Sequence, residues 1–373
     1  MKARGIHLQY SFEQAGQRGA DVQNPLFDLL SAVRDHGSIQ HAAKAMGTSY
    51  RHTWGQLKHW QDVIGEPLVT WTQGQPARLT PFAERLLWAE ARARVRLVPH
   101  IEALRAELER VLADALDGTQ QVLSVLASHD LALPLLRDQA AAQGLHLGLK
   151  FAGSIDALRA LAEGRCTVAG FHVPPLADAR NPFALGLKPL LEPGRHKLIG
   201  CTRRQQGLLV PKGNPLALHS VADLARRGVR VVQRQPGSGT RLLTEYLLAE
   251  AGLAGAPLHE ALVEDSHLAV AAAVASDLGD VGLGVAAAAA AFGLDFVPLV
   301  EEDYFLVCLD DTLETDAVQR LRKLLARNAW AQAVATLPGY RSEQAGEVLS
   351  LTRALPWWRF RSPKAQGTAA RKR

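Results

Sequence analysis

At Val122 the hydrophobic period of this chain changes, and the change restricts the folds open to each side of it. Upstream, apolar residues recur every three or four positions, the spacing of helices. Downstream, short apolar runs alternate with helical segments. Val122 to Ala127, Leu147 to Phe151 and Thr167 to Phe171 read as buried strands, with helices over Asp130 to Ala142 and Ile155 to Ala162 between them. Shorter β-rich pieces fill Leu187 to Val210. A second run follows, with a strand at Arg230 to Gln233, helices from Thr240 and from His267, and a strand at Asp280 to Leu283. Two late strands, Phe296 to Leu299 and Tyr304 to Leu309, and one helix from Thr315 to Ala335 close the unit. Strand and helix in alternation predict an α/β layer with parallel strands. Two such layers with two crossings between them predict a hinged, two-lobed binding module whose ligand lies in the cleft at the strand ends.

The upstream part reads as three short helices and a hairpin. Asn24-Pro25 is a cap followed by a first-turn proline, and it opens a helix through Leu26, Phe27, Leu29, Leu30 and Val33. Ser38 caps a second helix with Ile39, Ala42, Ala43 and Met46 on its apolar side. Gly47 then lets the chain turn without a Cβ penalty. The third helix starts at Thr48 or Ser49, buries Leu57 and Trp60 over Thr53, and stops at Gly65. Its outward residues are Ser49, Tyr50, Arg51, Trp54 and Lys58. Those are side chains that touch DNA: Arg and Lys for phosphates and guanine edges, Ser for short hydrogen bonds, Tyr and Trp for sugars and thymine methyls. Ser38, Ser49, Tyr50, Arg51, Trp54 and Lys58 are therefore the expected DNA-facing set of a helix-turn-helix. The same composition also builds an ordinary helical hairpin with a polar face. Pro67 to Trp71 and Ala77 to Leu79, around Gly74, form a hairpin in the position of a wing, which favours the DNA reading.

Thr80-Pro81 opens a long helix to about Asp114. In it Leu97, Ile101, Leu104, Leu108 and Val111 are spaced as a coiled-coil seam, which predicts a dimer, while Pro99 should kink the helix or split it in two. The expected organisation is a lead-in over 1–23, a winged helix-turn-helix over 24–80, a linker and dimerisation helix over 81–116, the two-lobed domain over 117–358 and a basic tail over 359–373. Charge has to be read with that tail in mind. The formal net charge is 42 − 37 = +5, yet Arg353 onward holds seven basic residues and no acid, so the remainder stands at 35 − 37 = −2. The globular part is close to neutral, and a local basic face is all that DNA binding can draw on. Cys166, Cys201 and Cys308 stand far apart without a CxxC pair, and the N-terminus has no apolar run of the signal-peptide kind. A reducing cytoplasm and no membrane are expected.

The sharpest site signal is Gln235-Pro236-Gly237-Ser238-Gly239-Thr240-Arg241, a glycine-rich turn between a strand and a helix. Helix N-termini offer unpaired N–H groups and partial positive charge, and glycines let a bound group come close. Gly237, Ser238, Gly239, Thr240 and Arg241 would hold a small anion, with Ser128 and Ser154 converging from equivalent positions of the other layer. A loop whose serine merely caps the helix is the plainer alternative. Ser128-His129-Asp130 names a catalytic triad, but neighbouring side chains cannot form its relay. Glu264-Asp265-Ser266-His267 reads as a helix cap with one face toward the cleft. No HExxH, GxSxG or Walker pattern occurs, so neither an enzyme nor a bound cofactor is indicated.

The stretch GSIQHAAKAMGTSYRHTW resembles the recognition segment of ModE-like regulators with a LysR-like winged helix-turn-helix. RQPGSGTR, DVGLGVAAAAAAFGLDFVPL and LPGYRSEQAGEVLSLTRALPWW are similar to a periplasmic-binding-protein-like domain of type II fused to such regulators. The likeness runs from about Asn24 to Trp358, and the wing departs from the pattern in carrying only Gly74 where several glycines are usual. The resemblance implies a multi-domain transcription factor that binds a double-stranded DNA operator as a homodimer or higher oligomer. Its implied effector is a molybdate- or tungstate-type oxyanion or a molybdenum-cofactor-related compound. A second class stays open, a solute- or cofactor-binding protein whose N-terminal helices bind a protein partner. Salt-dependent binding to DNA separates the two.

Overall fold

The computed structural model describes residues 24–71, 76–116 and 121–358. The expected lead-in at 1–23, wing tip at 72–75, interdomain linker at 117–120 and basic tail at 359–373 lie outside the described residues.

The N-terminal unit forms where its caps dictate. Asn24 accepts a hydrogen bond from the Leu26 amide at 3.0 Å and starts α1 (Pro25–His36), which ends at Gly37 with φ 60°. Helix α2 (Ile39–Ala45) is followed by the turn at Gly47, φ 65°, and α3 (Tyr50–Ile64) stops at Gly65, φ 79°. Strands β1 (Val69–Thr70) and β2 (Arg78–Leu79) pair antiparallel in the wing position. Leu26, Leu30, Val33, Ile39, Ala42, Leu57, Leu68 and Leu79 close a core beneath the three helices. Helix α4 (Pro81–Leu116) leaves this unit as one element of 36 residues, so Pro99 does not split it. One missing backbone bond is carried by the turns on either side. Ala83 and Leu87 of α4 complete the N-terminal core, whereas Val95 packs on the second unit against Ala269 and Ala272.

In the second unit, one mixed sheet runs β4-β3-β5-β10-β6-β9-β7-β8. Its first lobe is β3 (Gln121–Ala127), α5 (Leu133–Ala141), β4 (Leu145–Phe151), α6 (Ser154–Ala162) and β5 (Val168–Val173), with β3 parallel to both β4 and β5. Helix α7 (Pro182–Leu187) leads to β6 (His196–Val210), the first crossing. The second lobe contains β7 (Arg230–Arg234), α8 (Gly239–Glu250), β8 (His259–Glu264), α9 (His267–Ala275), β9 (Val281–Val285) and α10 (Ala286–Ala291), with β7 parallel to β8 and β9. The chain returns along β10 (Asp295–Leu309) and finishes with α11 (Asp310–Leu313), α12 (Asp316–Leu325), α13 (Asn328–Ala335), β11 (Tyr340–Arg341), β12 (Val348–Leu349) and α14 (Leu351–Ala354). Successive strand residues serve opposite faces: Ile199, Leu209, Val232 and Leu306 enter one core, and Leu198, Leu208, Val231 and Phe305 the other.

The structure differs from the sequence reading where the chain passes between lobes. Leu187 to Val210 is not a set of short β pieces but ends in one 15-residue strand, and the two expected late strands are a single strand of 15 residues. Their polar middles pair with each other, Arg203 with Asp303 and Arg204 with Glu302, so the ladder continues through a region that is not apolar. Bulges near Pro298 and Tyr304 absorb the proline and the bend. Because β6 and β10 antiparallel pairing joins the lobes, the sheet is mixed rather than wholly parallel. The expected helix over Thr315 to Ala335 is divided near Arg327, and β8 is an additional edge strand. No helix among the described residues is long and apolar enough to cross a membrane.

Candidate functional site

Two places concentrate polar chemistry, the outer face of α3 and the junction of the lobes. On α3, Thr53 and Leu57 are buried while Tyr50, Arg51, Trp54 and Lys58 are exposed. The aromatic pair is unusual for a solvated helix: Tyr50 is 52% and Trp54 42% exposed. Among the described residues neither Arg51 nor Lys58 joins an ion pair. Ser38 and Ser49 both act as caps, accepting from the amides of His41 at 3.4 Å and His52 at 3.2 Å. A hydroxyl that accepts in this way keeps its own proton to donate. Thr48 and Thr53 join their hydroxyls at 2.8 Å and fix the turn between α2 and α3.

At the lobe junction a chain of hydrogen bonds runs from one lobe to the other. Ser128 Oγ lies 2.8 Å from His172 Nδ1, and His172 Nε2 lies 3.0 Å from Asp130 Oδ2. Arg204 donates to Asp130 at 3.0 Å and to Glu302 at 2.9 and 3.1 Å. Gln206 donates to Glu302 at 2.7 Å and to the Thr240 hydroxyl at 3.4 Å, and Tyr340 donates to Asp130 at 3.1 Å. Ser154 accepts from the His172 amide at 3.4 Å. Three sequence-selected residues, Ser128, Ser154 and Thr240, thus belong to one network.

The glycine turn itself is built differently from the expectation. Gly237 takes φ 82°, Ser238 caps α8 by accepting from the Arg241 amide at 3.2 Å, and Gly239 is the first residue of α8. Arg241 does not turn to the cleft. Its guanidinium bonds to Glu245 at 3.0 Å and Glu260 at 2.8 Å, one helical turn ahead and on β8. The arginine at the other end of the turn, Arg234, lies within electrostatic reach of His129, His267 and Arg204, and also of the carboxylates of Asp265 and Glu302. It donates to neutral acceptors, Gln235 Oε1 at 3.3 Å and the Asp265 carbonyl at 2.7 Å, and pairs with no carboxylate among the described residues.

The charges at this junction set its acid–base behaviour. Burial would raise the Asp130 carboxyl, but the His172 hydrogen bond and Arg204 outweigh it and hold Asp130 well below the usual carboxylate range. Burial and Arg204 lower His172, and burial and Arg234 lower His267 much further. Burial together with Arg234 pushes His129 down to about 4, and burial together with Arg204 pulls Arg234 down to about 10. Nδ1 of His129 and of His267, Oγ1 of Thr202 and Oε1 of Gln206 are buried without a hydrogen-bond partner. Ser128, His172 and Asp130 do stand in relay order, an arrangement that the adjacent Ser128-His129-Asp130 could not make. It is poorly suited to base catalysis, since Arg204 opposes an imidazolium at His172 and already neutralises Asp130.

Sequence reading missed His172, Arg204, Gln206, Glu302, Arg234, His129 and His267 as site residues. The available signal was polar clustering inside strands: Thr202 to Gln206 within the expected short β pieces, and Glu301 to Asp303 in the gap between the two expected late strands.

Comparison with known proteins matches residues 137–326 to the PBP superfamily domain and residues 26–84 to the bacterial regulatory helix-turn-helix protein, lysR family. The uncharacterized protein YvgK of Bacillus subtilis (strain 168) is 30% identical over 202 residues, 54% of this chain and 64% of YvgK. The chain thus spans less than two thirds of that relative's length. Among solved structures, full-length BenM superposes with TM-score 0.42 at 16% identity, covering 83% of this chain and 96% of BenM. The LysG regulator of Corynebacterium glutamicum with bound effector Arg gives 0.39 at 19% identity, covering 84% and 99%.

Three histidines at the lobe junction, His129, His172 and His267, give the fold a pH dependence. An unfolded histidine titrates near 6.5, about two and a half units above His129 in the folded chain, so the unfolded state takes up the proton first as pH falls. Stability should be fully present above about pH 6.5 and decline toward pH 4, with His172 and His267 acting in the same direction. Melting temperatures of wild type and His129→Gln across that range should show a shallower decline in the variant. Parallel curves would mean that His129 does not titrate as the geometry requires.

Proposed function

We infer that this chain, which belongs to the PBP superfamily and carries a lysR-family helix-turn-helix ahead of that domain, is a DNA-binding transcription regulator gated by a small anion. The observation that carries the DNA half is the outer face of α3: basic and aromatic side chains stand exposed on a helix whose other face is locked into its own core. That face fits a major groove, with Arg51 toward a guanine edge, Lys58 toward a phosphate, and Tyr50 and Trp54 against sugars and methyl groups. Ser38 and Ser49 stand at helix starts, where their hydroxyls and the nearby amides suit phosphate oxygens. Helix α4 supports a homodimer that reads two half-sites. Leu104 and Val111 of the expected seam are 47% and 54% exposed, although apolar, and they lie on the face that a second α4 would cover.

For the effector, the supporting feature is the half-buried Arg234, whose guanidinium pairs with no carboxylate among the described residues, together with the unpartnered imidazole nitrogens of His129 and His267. His129 comes from the first lobe and Arg234 and His267 from the second, so an anion between them bonds to both and favours closure. Amides of Gly237 and Gly239 and the Thr240 hydroxyl supply further donors on the second lobe, the Ser238 amide being held by the Gln235 carbonyl at 3.2 Å, and Ser128 and Ser154 support His172 on the first. Molybdate- or tungstate-type oxyanions, or a molybdenum-cofactor-related compound, fit that donor set.

Arg51→Ala is expected to leave the melting temperature unchanged and weaken operator binding by about 1–3 kcal/mol for particular base pairs. Titration of wild type and variant on cognate and scrambled duplexes reads this directly, and equal weakening on both would make Arg51 a phosphate contact. Ile101→Asn with Leu104→Asn should convert the dimer to monomers in sedimentation velocity and lower operator affinity; a dimer indifferent to both changes rules out the α4 seam. For the effector site, thermal shifts with molybdate, tungstate, sulfate and phosphate should be lost in Arg234→Gln but kept in Arg241→Ala, whose guanidinium is engaged by Glu245 and Glu260. The opposite pattern would return the site to Arg241.

A further inference from the structure

Arg96 of α4 and Glu264 of β8 meet across 168 positions of sequence. Arg96 Nε donates to Glu264 Oε2 at 2.9 Å and Nη2 to Oε1 at 2.6 Å, a two-pronged bond. The Glu264 side chain is 1% exposed while the Arg96 side chain is 48% exposed, so an acid buried at the end of β8 is held by a base that reaches in from outside. A carboxylate removed from water requires such a partner.

Each side of this bond leads somewhere definite. On the inner side, the Glu264 carbonyl accepts from the Gln235 amide at 3.1 Å, which ties it to the glycine turn. The Asp265 carbonyl accepts from Arg234 at 2.7 Å, Ser266 caps α9, and His267 begins it with an unpartnered Nδ1. The short segment Glu264 to His267 is therefore gripped by α4 from outside and forms the cleft wall inside. Next to Arg96, Val95 packs on Ala269 and Ala272, so the grip covers the first turn of α9 as well. On the outer side α4 is continuous back to Leu87 and Ala83, which are buried in the core under the DNA-facing helix. Nine residues separate Leu87 from Arg96, about 13 Å of helix. One unbroken stretch of helix thus joins the segment 264–267 to the core of the N-terminal unit.

We propose that the Arg96–Glu264 ion pair is the joint through which the cleft wall and the DNA-binding unit sense each other. It rests on the regulator reading above and adds to it the physical link between the two sites. Coupling of this kind is reciprocal, so DNA must be felt at the cleft wall just as an effector is felt at the DNA.

Reciprocity allows a test that needs no identified effector. Hydrogen exchange of the full chain is followed with and without duplex DNA from upstream of its own gene. In wild type, DNA should slow exchange at residues 264–275 by about twofold or more. In Arg96→Gln and in Glu264→Gln, DNA affinity should stay within about threefold while that slowing disappears; the double variant should be no worse than either single one, and Arg96→Lys should retain part of the response. Arg96→Lys keeps the pair's charge, so it reports even if an uncharged variant folds poorly. Slowing that survives Arg96→Gln, or DNA binding that leaves 264–275 untouched in wild type, overturns the joint alone. A wild-type chain that binds no DNA overturns the regulator reading and the joint with it.

Discussion

A guanidinium buried where two lobes meet governs the second unit of this chain. Arg204 lies on the first crossing strand, and burial works against its charge; Tyr340, Glu302 and Asp130 outweigh that cost and raise its pKa. The partners come from different parts of the chain: Asp130 from the loop after β3, Glu302 from the return strand β10, and Tyr340 from the short strand β11. Holding all three around one side chain fixes the register of β6 against β10 and the position of the first lobe's loop. Removing one partner of such a cluster leaves a buried charge uncompensated, a loss of about 3–5 kcal/mol. The apolar cores set the shape of each lobe, while this cluster sets how the lobes meet.

The same arithmetic separates the two arginines of the cleft. Arg204 is fully matched by carboxylates, so it has little to offer a further anion. Arg234 bonds only to neutral acceptors, and burial first and Arg204 second lower its pKa against the pull of Asp265 and Glu302. An anion placed beside Arg234 relieves that repulsion, and it does so again for His129 and His267, which become better donors as they approach protonation. The junction thus has one cation matched by carboxylates, Arg204, and one bonded only to neutral acceptors, Arg234.

Much of this was legible in the chain. Asn24-Pro25, Ser38, Gly47 and Gly65 mark helix ends by local chemistry alone, and all fall where the structure has them. Strand and helix alternation also survives, because apolar side chains on both faces of a covered sheet leave a plain signature. The crossing strands were illegible for the opposite reason. Thr202 to Gln206 and Glu301 to Asp303 are polar because they lie between lobes, a circumstance that only the assembled fold supplies. Edge strand β8 reads HEALVE, without polar–apolar alternation, and buries only Glu264, so the sequence left it unassigned. Arg241 could have been discounted from sequence, since Glu245 stands four residues along the same helix, at the spacing of an i to i+4 pair.

What remains is whether a single ion pair is stiff enough to carry a signal. Allosteric coupling free energies are typically about 1–3 kcal/mol, and no ligand shifts an equilibrium by more than its differential affinity. A joint weaker than that would part before it moved anything. The Arg96–Glu264 pair is bidentate, its acid is buried, and Val95 packs beside it on α9, so parting it leaves a buried carboxylate without a counter-charge. The half-exposed Arg96 side also lets the helix tilt without breaking contact, because a guanidinium can swing on its aliphatic stem while both prongs stay in place. Strength on the acid side and freedom on the basic side are what a transmitting contact needs. A wholly buried pair would lock α4 to the cleft wall, and a wholly exposed one would slip.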